Sequence, residues 1–416
     1  MLRFVVGVAT AQTAVACCAC TDTAGPMALR TGTIERTLAI DSIPYLAGVH
    51  LAALPGLDYN HPPVAMNDWG EVVGTYNVGI PNVFGPEYAY KWQATRGLTI
   101  LSTPDVQSVA TGVNDSGQVA ITVFTDTSSS AAIWGWFGGV KVLRDLSTYR
   151  TPSAHPMCQG GPINNHGIVA GRCTILGAVD QPCGAAQWFP TLWTTFGTPD
   201  AFHPGGGPAF RDANVPGWTD AGFAAGTFFG NACGSSDHPH AYVYNAITHE
   251  ERMLPDLVIG GVAVSTFANA VNNNGYVVGS AITLQPNCDD HAVVWLADGV
   301  ARDLGICGIA TGISDDGIVI GTYENRLPGD SAFAFVWTPT TGVLRLPHLY
   351  PAHGASPGAP FPNETSGAIA INRKHQILGS VTANGFNTEP PTSIAVMWTL
   401  PAGFPAGAAA LSRRAP

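Results

Sequence analysis

The chain has 416 residues, 46% of them hydrophobic and only 11% charged, so it can bury a large core and is excluded from global disorder. Its 18 Lys and Arg against 29 Asp and Glu give a net charge of −11 with no basic run, which excludes the clustered cations that a nucleic-acid footprint needs. Gly 49 and Pro 32 together make about a fifth of the chain without a Gly-X-Y period, which means many turns and no collagen helix.

At the N-terminus, Phe4 to Ala16 is an apolar stretch behind Arg3, interrupted by Gln12 and Thr13 and too short to span a bilayer. It reads as the apolar region of an export signal. Ala14-Val15-Ala16-Cys17 resembles a bacterial lipobox with Ala where Leu is usual, which points to lipidation of Cys17. Cys20 is a second lipid site to consider, and plain cleavage near Ala16 or Ala19 is the other alternative. Residues 1–20 are therefore expected to be a leader and 21–36 a linker.

From residue 66 one pattern recurs: an apolar residue, Asn or a substitute, two residues, Gly and a β-branched run. Its heads and fourth positions are Asn67 and Gly70, Asn114 and Gly117, Asn164 and Gly167, Thr219 and Gly222, Asn272 and Gly275, Ser314 and Gly317, and Asn372 and His375. A tight hairpin needs positive φ, which Asn, Asp and Gly supply with least strain, so each copy predicts a turn between a short inner strand and the next. His375 is expected to be the most strained of the seven.

A strand follows each turn, as in Val72-Val73-Gly74 and Val277-Val278-Gly279, with Ile121 replacing the Gly in the second copy. An Ala-x-x-Trp strand comes next: Ala89 to Trp92, Ala131 to Trp134, Ala185 to Trp188, Ala241 to Tyr244, Ala292 to Trp295, Ala334 to Trp337 and Ala395 to Trp398. A fourth apolar run, such as Val140-Lys141-Val142-Leu143, then closes the unit. Four strands at spacings of 47, 50, 55, 53, 42 and 58 residues, counted from Gly70 to His375, match a propeller blade.

Length alone would suggest about three domains at roughly 150 residues each, but the repeat overrides it. After Trp398 no fourth strand follows, whereas Thr37 to Ile43 is an unpaired apolar run ahead of the first turn. Joining the two would remove an exposed edge. The expected fold is all-β: one seven-bladed β-propeller of four-stranded blades over 37–403, closed by an N-terminal strand, with 404–416 as a disordered tail.

The combination of Ile/Val-Asn-x-x-Gly-x-Val-Val-Gly with a downstream His-Ala-aromatic-x-Trp is similar to the bacterial HAF repeat, an extracellular repeat named for a His-Ala-Phe triplet. Variants of that triplet are His240-Ala241-Tyr242, His291-Ala292-Val293 and Phe333-Ala334-Phe335. The resemblance covers roughly residues 60 to 400 and departs where Thr219 and Ser314 replace Asn. It implies export and a propeller-like β fold, and no activity, so no catalytic residues are carried over.

Six cysteines lie beyond the leader, and an even count in an exported chain reads as disulfides. The expected pairs are Cys288 with Cys307, Cys158 with Cys173 and Cys183 with Cys233, among fifteen open pairings. A polar cluster, Asp237-His238-Pro239-His240 with Asp289-Asp290-His291, offers imidazole and carboxylate to a divalent cation. Against that reading, His240 and His291 stand at the repeat's own His position, so blade geometry accounts for them and no metal or cofactor is implied. Asp68, Asp115, Asp315 and Asp316 sit in the hairpin turns, where local backbone bonding is expected to hold them.

No Gly-x-Ser-x-Gly, His-Glu-x-x-His or Gly-Lys-Ser/Thr motif occurs. The loops most able to shape a pocket are Pro347 to Gly367, with His348, Tyr350, His353 and Glu364, and Thr194 to Arg211, with His203. The expectation is a monomeric binding or scaffold module at the cell envelope. It would use loops on one face for a protein or glycan ligand, without nucleic acid, and meet the membrane only through a lipid anchor. The alternative is a periplasmic hydrolase or lyase acting on glycans.

Overall fold

The copies of the repeat fold into antiparallel sheets, most of them four-stranded. The computed structural model describes residues 32–33 and 43–405, except 59, 79–84, 103–105, 137–138, 147–156, 176–186, 195, 203–212, 230–237, 260–261, 286–287, 297–298, 325–331, 348–363 and 384–391. Among the described residues all regular structure is β. The first sheet runs Pro63–Met66, Val72–Asn77, Glu87–Gln93 and Gly97–Ile100, each strand pairing with the next. Ser108–Val113, Val119–Phe124, Ser129–Trp136 and Gly139–Val142 form the second in the same order.

The third comprises Cys158–Ile163, Val169–Ile175, Gln187–Trp193 and Pro199–Ala201, and the fourth Gly217–Trp218, Phe223–Phe228, His240–Asn245 and Glu250–Met253. The fifth and sixth copies fuse into one seven-stranded sheet. Its 13-residue strand Ala301–Ile313 ends one copy and begins the next. This continuity matches the shortest spacing of the repeat, the 42 residues between Gly275 and Gly317, which leaves no length for a connecting loop.

The last sheet, Glu364–Ile371, Gln376–Ala383 and Thr392–Thr399, takes its fourth strand from the other end of the chain. His50–Asp58 pairs antiparallel with Thr392–Thr399, setting Leu51 opposite Trp398. That place belongs to His50–Asp58 and not to the Thr37 to Ile43 run. Leu54 and Leu57 bury themselves against Val72, Tyr90 and Trp92 of the first copy and Leu378 of the last. Ile43 packs instead into the core of the fused sheet, and Thr37 to Ser42 lie outside the described residues.

The paired β-branched residues after each turn have a packing reason. Successive residues of a strand point to opposite faces, so a doublet serves two neighbours. Val72 packs between the first and last copies, whereas Val73 packs between the first and second. Val277 and Val278 divide in the same way, as do Ile377 and Leu378. Sheets with both faces buried need few charges, which accounts for the 11% charged residues.

The Gly inside the second strand is required by a close approach. A Cβ on Gly279 would lie 1.8 Å from the Phe267 carbonyl oxygen, and one on Gly226 would lie 1.8 Å from that of Asn214. The neighbouring first strand bulges toward the sheet there, with register shifts between Ala268 and Ala270, Ala110 and Gly112, and Ala310 and Gly312. The bulged residue reaches the adjacent copy. Thr111 Oγ1 donates to the Gly161 carbonyl at 2.8 Å, Asn269 Nδ2 to Ala310 at 3.0 Å and Thr311 Oγ1 to Ala368 at 2.8 Å.

The Trp of the third strand also joins two copies. Trp92, Trp193, Trp295 and Trp398 donate their indole N–H to the carbonyls of Pro55, Arg144, Pro255 and Pro347, each in the fourth strand of the preceding sheet or just beyond it. In the third copy this residue is Trp193, which pairs with Val169 as Trp92 pairs with Val72. The expected Trp188 is displaced by five residues because Pro190 replaces the marker Ala, and Trp188 instead lies 4.4 Å from the Arg172 guanidinium.

Candidate functional site

The seven repeat turns converge around one cavity of about 200 Å³. Its wall is made by the head and second residues of every turn together with the apolar residue before them. The fourth residue closes each turn with positive φ: 77° at Gly70, 74° at Gly117, 73° at Gly167, 82° at Gly222, 75° at Gly275 and 83° at Gly317. His375 adopts 56°, the strained case anticipated from its side chain, and its Nε2 meets Asp316 Oδ2 at 2.8 Å.

Each head Asn works in two directions. Asn114 Oδ1 accepts the N–H groups of Ser116 and Gln118 within its own turn, at 3.1 and 3.0 Å. Its Nδ2 donates to the carbonyl of Asn164 in the next turn at 3.0 Å. Asn67 reaches Asn114 in the same way, Asn164 reaches Thr219, and Asn272 reaches Ser314. Asn372 of the last turn returns to the carbonyl of Asn67 in the first at 3.2 Å. Thr219 and Ser314 keep the acceptor half, taking the N–H of Phe223 and Ile318, but have no amide with which to reach onward.

The second positions carry Asp68, Asp115, Asn165, Asp220, Asn273, Asp315 and Arg373. Here too the bonds run between turns. The N–H of Asp68 donates to Asp115 Oδ1, that of Asp115 to Asn165, that of Asn165 to Asp220, that of Asn273 to Asp315 and that of Arg373 to Asp68. Asn165 Nδ2 also bridges the Asp115 and Asp220 carboxylates at 2.9 Å each, and the Arg373 guanidinium pairs with Asp68 and Asp115. The expectation of purely local bonding for Asp68, Asp115 and Asp315 is thus corrected. These carboxylates hold the neighbouring turn, because the second residue of a turn points sideways along the rim. Beside this mouth Trp69 is 70% exposed, its Nε1 bonded to the Asp115 carbonyl and its ring 4.8 Å from Lys374 Nζ.

The five residues His238, His240, Asp289, Asp290 and His291 do not form one cluster. His238 and His240 converge on Asp256, in the connection between the fourth and fifth copies, and neither Asp289 nor Asp290 joins them. Strand alternation turns His291 inward, where it is fully buried and its Nδ1 meets Asp303 Oδ2 at 3.1 Å. His240 and His291 thus hold the same place in their strands and each meets an Asp, but the carboxylates come from different places: Asp303 lies in the fourth strand opposite Val293, where the fourth copy has Met253, and Asp256 lies three residues beyond that. Burial alone would raise the Asp256 pKa, but the bond and charge of His240 and the bonds from Thr266 and His238 outweigh it and hold the carboxyl below its usual range.

Among the described residues two disulfides form, Cys158 with Cys173 across the first and second strands of the third copy, and Cys288 with Cys307 in the fifth. They suit an oxidising compartment. Cys17, Cys183, Cys233, His203, His348, Tyr350 and His353 lie outside the described residues. Glu364 opens a strand and is buried, so it does not line an exposed loop. Sequence reasoning missed Asp256 and the rim bonds, although the polar residue three places before the turn head, as in Thr111, Asn269 and Thr311, was a readable sign of contact between copies.

No protein-family model matches the chain, and no curated protein does. Among solved structures it is similar to a puromycin hydrolase at 12% identity and a TM-score of 0.49, covering 80% of this chain and 51% of that one. The chain thus spans about half the length of that hydrolase. It is also similar to a protein of unknown function from Dyadobacter fermentans, at 12% identity, a TM-score of 0.41, and 86% and 100% coverage. A third similarity is to the β-propeller domain of the Trilobed protease from Pyrococcus furiosus, at 11% identity, a TM-score of 0.35, and 69% and 95% coverage.

Proposed function

We propose that the chain is a closed seven-bladed propeller of the HAF-repeat kind, exported and acting as a binding module at the cell envelope. Closure is supported by the bonds from Asn372 and Arg373 back to Asn67 and Asp68, and by the packing of Leu378 against Val72. The observation that carries the binding role is the fate of the rim carboxylates. Asp68, Asp115, Asp220 and Asp315 each accept a backbone N–H from an adjacent turn, so they hold the rim in place and are not poised as an acid and base pair.

Trp69 stands out of that rim 70% exposed, with the Lys374 ammonium over one side of its ring and amide and carboxylate groups beside it, a combination suited to stacking on a sugar ring and bonding its hydroxyls. The ligand in this reading is a glycan met on the turn face by a monomeric protein held to the envelope by lipid or freely secreted. A glycan array and cell-envelope extracts are to be screened with the wild-type protein and with Trp69→Ala. Binding that disappears in the variant at unchanged thermal stability is expected. Turnover of a glycan that depends on Asp115 would overturn the module and favour a hydrolase or lyase.

A further inference from the structure

We propose that His238, His240 and Asp256 form a binding site for a divalent cation of the zinc, cobalt or nickel class. Metal bonds of about 2.0–2.2 Å to N and O donors, at angles between octahedral and tetrahedral, set neighbouring ligand atoms about 2.9–3.5 Å apart. His238 Nε2 lies 3.1 Å and His240 Nδ1 3.0 Å from the same atom, Asp256 Oδ2. The three donor atoms lie within 4.8 Å of one another, and the two rings are 4.4 Å apart at 44°. Two imidazoles thus face a single carboxylate oxygen at the spacing of ligands that share an ion.

The second carboxylate oxygen is held from behind. Thr266 Oγ1 donates to Asp256 Oδ1 at 2.8 Å and in turn accepts the Ala241 N–H at 3.0 Å. Such support fixes the orientation of a metal-binding carboxylate and leaves its other oxygen for the ion. Two imidazoles with one carboxylate is a donor set suited to borderline cations and not to calcium or magnesium, which prefer all-oxygen sites.

Repeat geometry explains only part of this group. Of its members only His240 has a counterpart in the repeat, His291, which meets a different carboxylate, Asp303, and is sealed in the core. In the fourth copy both imidazoles reach solvent in part, with His240 20% and His238 31% exposed at the side chain over a buried Asp256, and His238 is an additional imidazole outside the repeat's His position. Three protein donors leave room for water or a ligand on the ion, the pattern of an open site. The other such cluster among the described residues, Cys288, His291 and Cys307, has both sulfurs committed to their disulfide.

The test uses the full chain, untagged, with its disulfides confirmed intact by thiol titration. Zinc and cobalt are added, excess metal is removed by dialysis, and bound metal is counted by elemental analysis, with affinity measured by competition against a chromophoric chelator. One ion per chain is expected, with cobalt giving a visible absorption band. His238→Ala, a change at a partly exposed side chain that should leave the fold intact, is expected to weaken affinity at least tenfold and abolish the band, as is Asp256→Asn. The proposal is overturned if the wild-type protein retains no ion, or if His238→Ala binds as tightly as wild type while keeping its native circular dichroism.

Discussion

Replacing the head Asn of one turn separates its two duties. In Asn114→Ala, the Ser116 and Gln118 N–H groups lose their acceptor and the Asn164 carbonyl loses its donor, all at a position only 3% exposed. With roughly 1–3 kcal/mol for each buried group left unsatisfied, and partial rescue by water at the turn, the expected loss is about 2–4 kcal/mol. Asn114→Ser should keep one acceptor for the turn, as Ser314 does at 2.9 Å, while losing the reach to Asn164. Its loss should be about 1–2 kcal/mol. Ser314→Asn is the converse and should gain up to about 1 kcal/mol by reaching the Asn372 carbonyl. Urea unfolding followed by tryptophan fluorescence measures all three. Equal losses for the Ser and Ala variants, or a loss below about 0.5 kcal/mol for Ala, would refute the two-way role of Asn.

Further outcomes follow from other contacts. Trp398→Phe keeps most of the buried ring but removes the 2.9 Å bond to the Pro347 carbonyl, so calorimetry should show a loss of about 1–2 kcal/mol. Gly279→Ala places a Cβ 1.8 Å from a backbone oxygen and should sharply reduce the yield of folded protein, read by circular dichroism and protease resistance. Peptide mapping without reduction should recover Cys158 joined to Cys173 and Cys288 joined to Cys307. Because folding depresses the Asp256 pKa, its contribution to stability is present above the unfolded value and is lost as pH falls through the folded one. The melting temperature should therefore drop below about pH 4, less steeply in Asp256→Asn.

Much of the architecture was legible because a repeat states each local rule several times. Positive φ at Gly70 through Gly317, the strained His375 and the doublets such as Val72-Val73 all follow from turn sterics and strand alternation, which act within a few residues. The third copy was misread at Trp188 because Pro190 removed the Ala that marks the strand, and only pairing with Val169 identifies Trp193. The closing strand was misplaced for a related reason. Thr37 to Ile43 and His50 to Asp58 are both apolar runs, and the fit of Leu54 and Leu57 against Val72 and Trp92 selects between them.

The candidate sites were less legible, since their partners are distant in sequence. Nothing near His238 and His240 points to Asp256, and nothing in a single turn reveals that Asp115 serves Asp68, 47 residues earlier. The sequence by itself determined the turns, the strand count of each copy and the reason for so little charge, because these are set by local sterics and by burial of both sheet faces. Only the tertiary structure decided which carboxylate meets which imidazole and which turn holds the next, because those contacts exist only once separate copies are packed side by side.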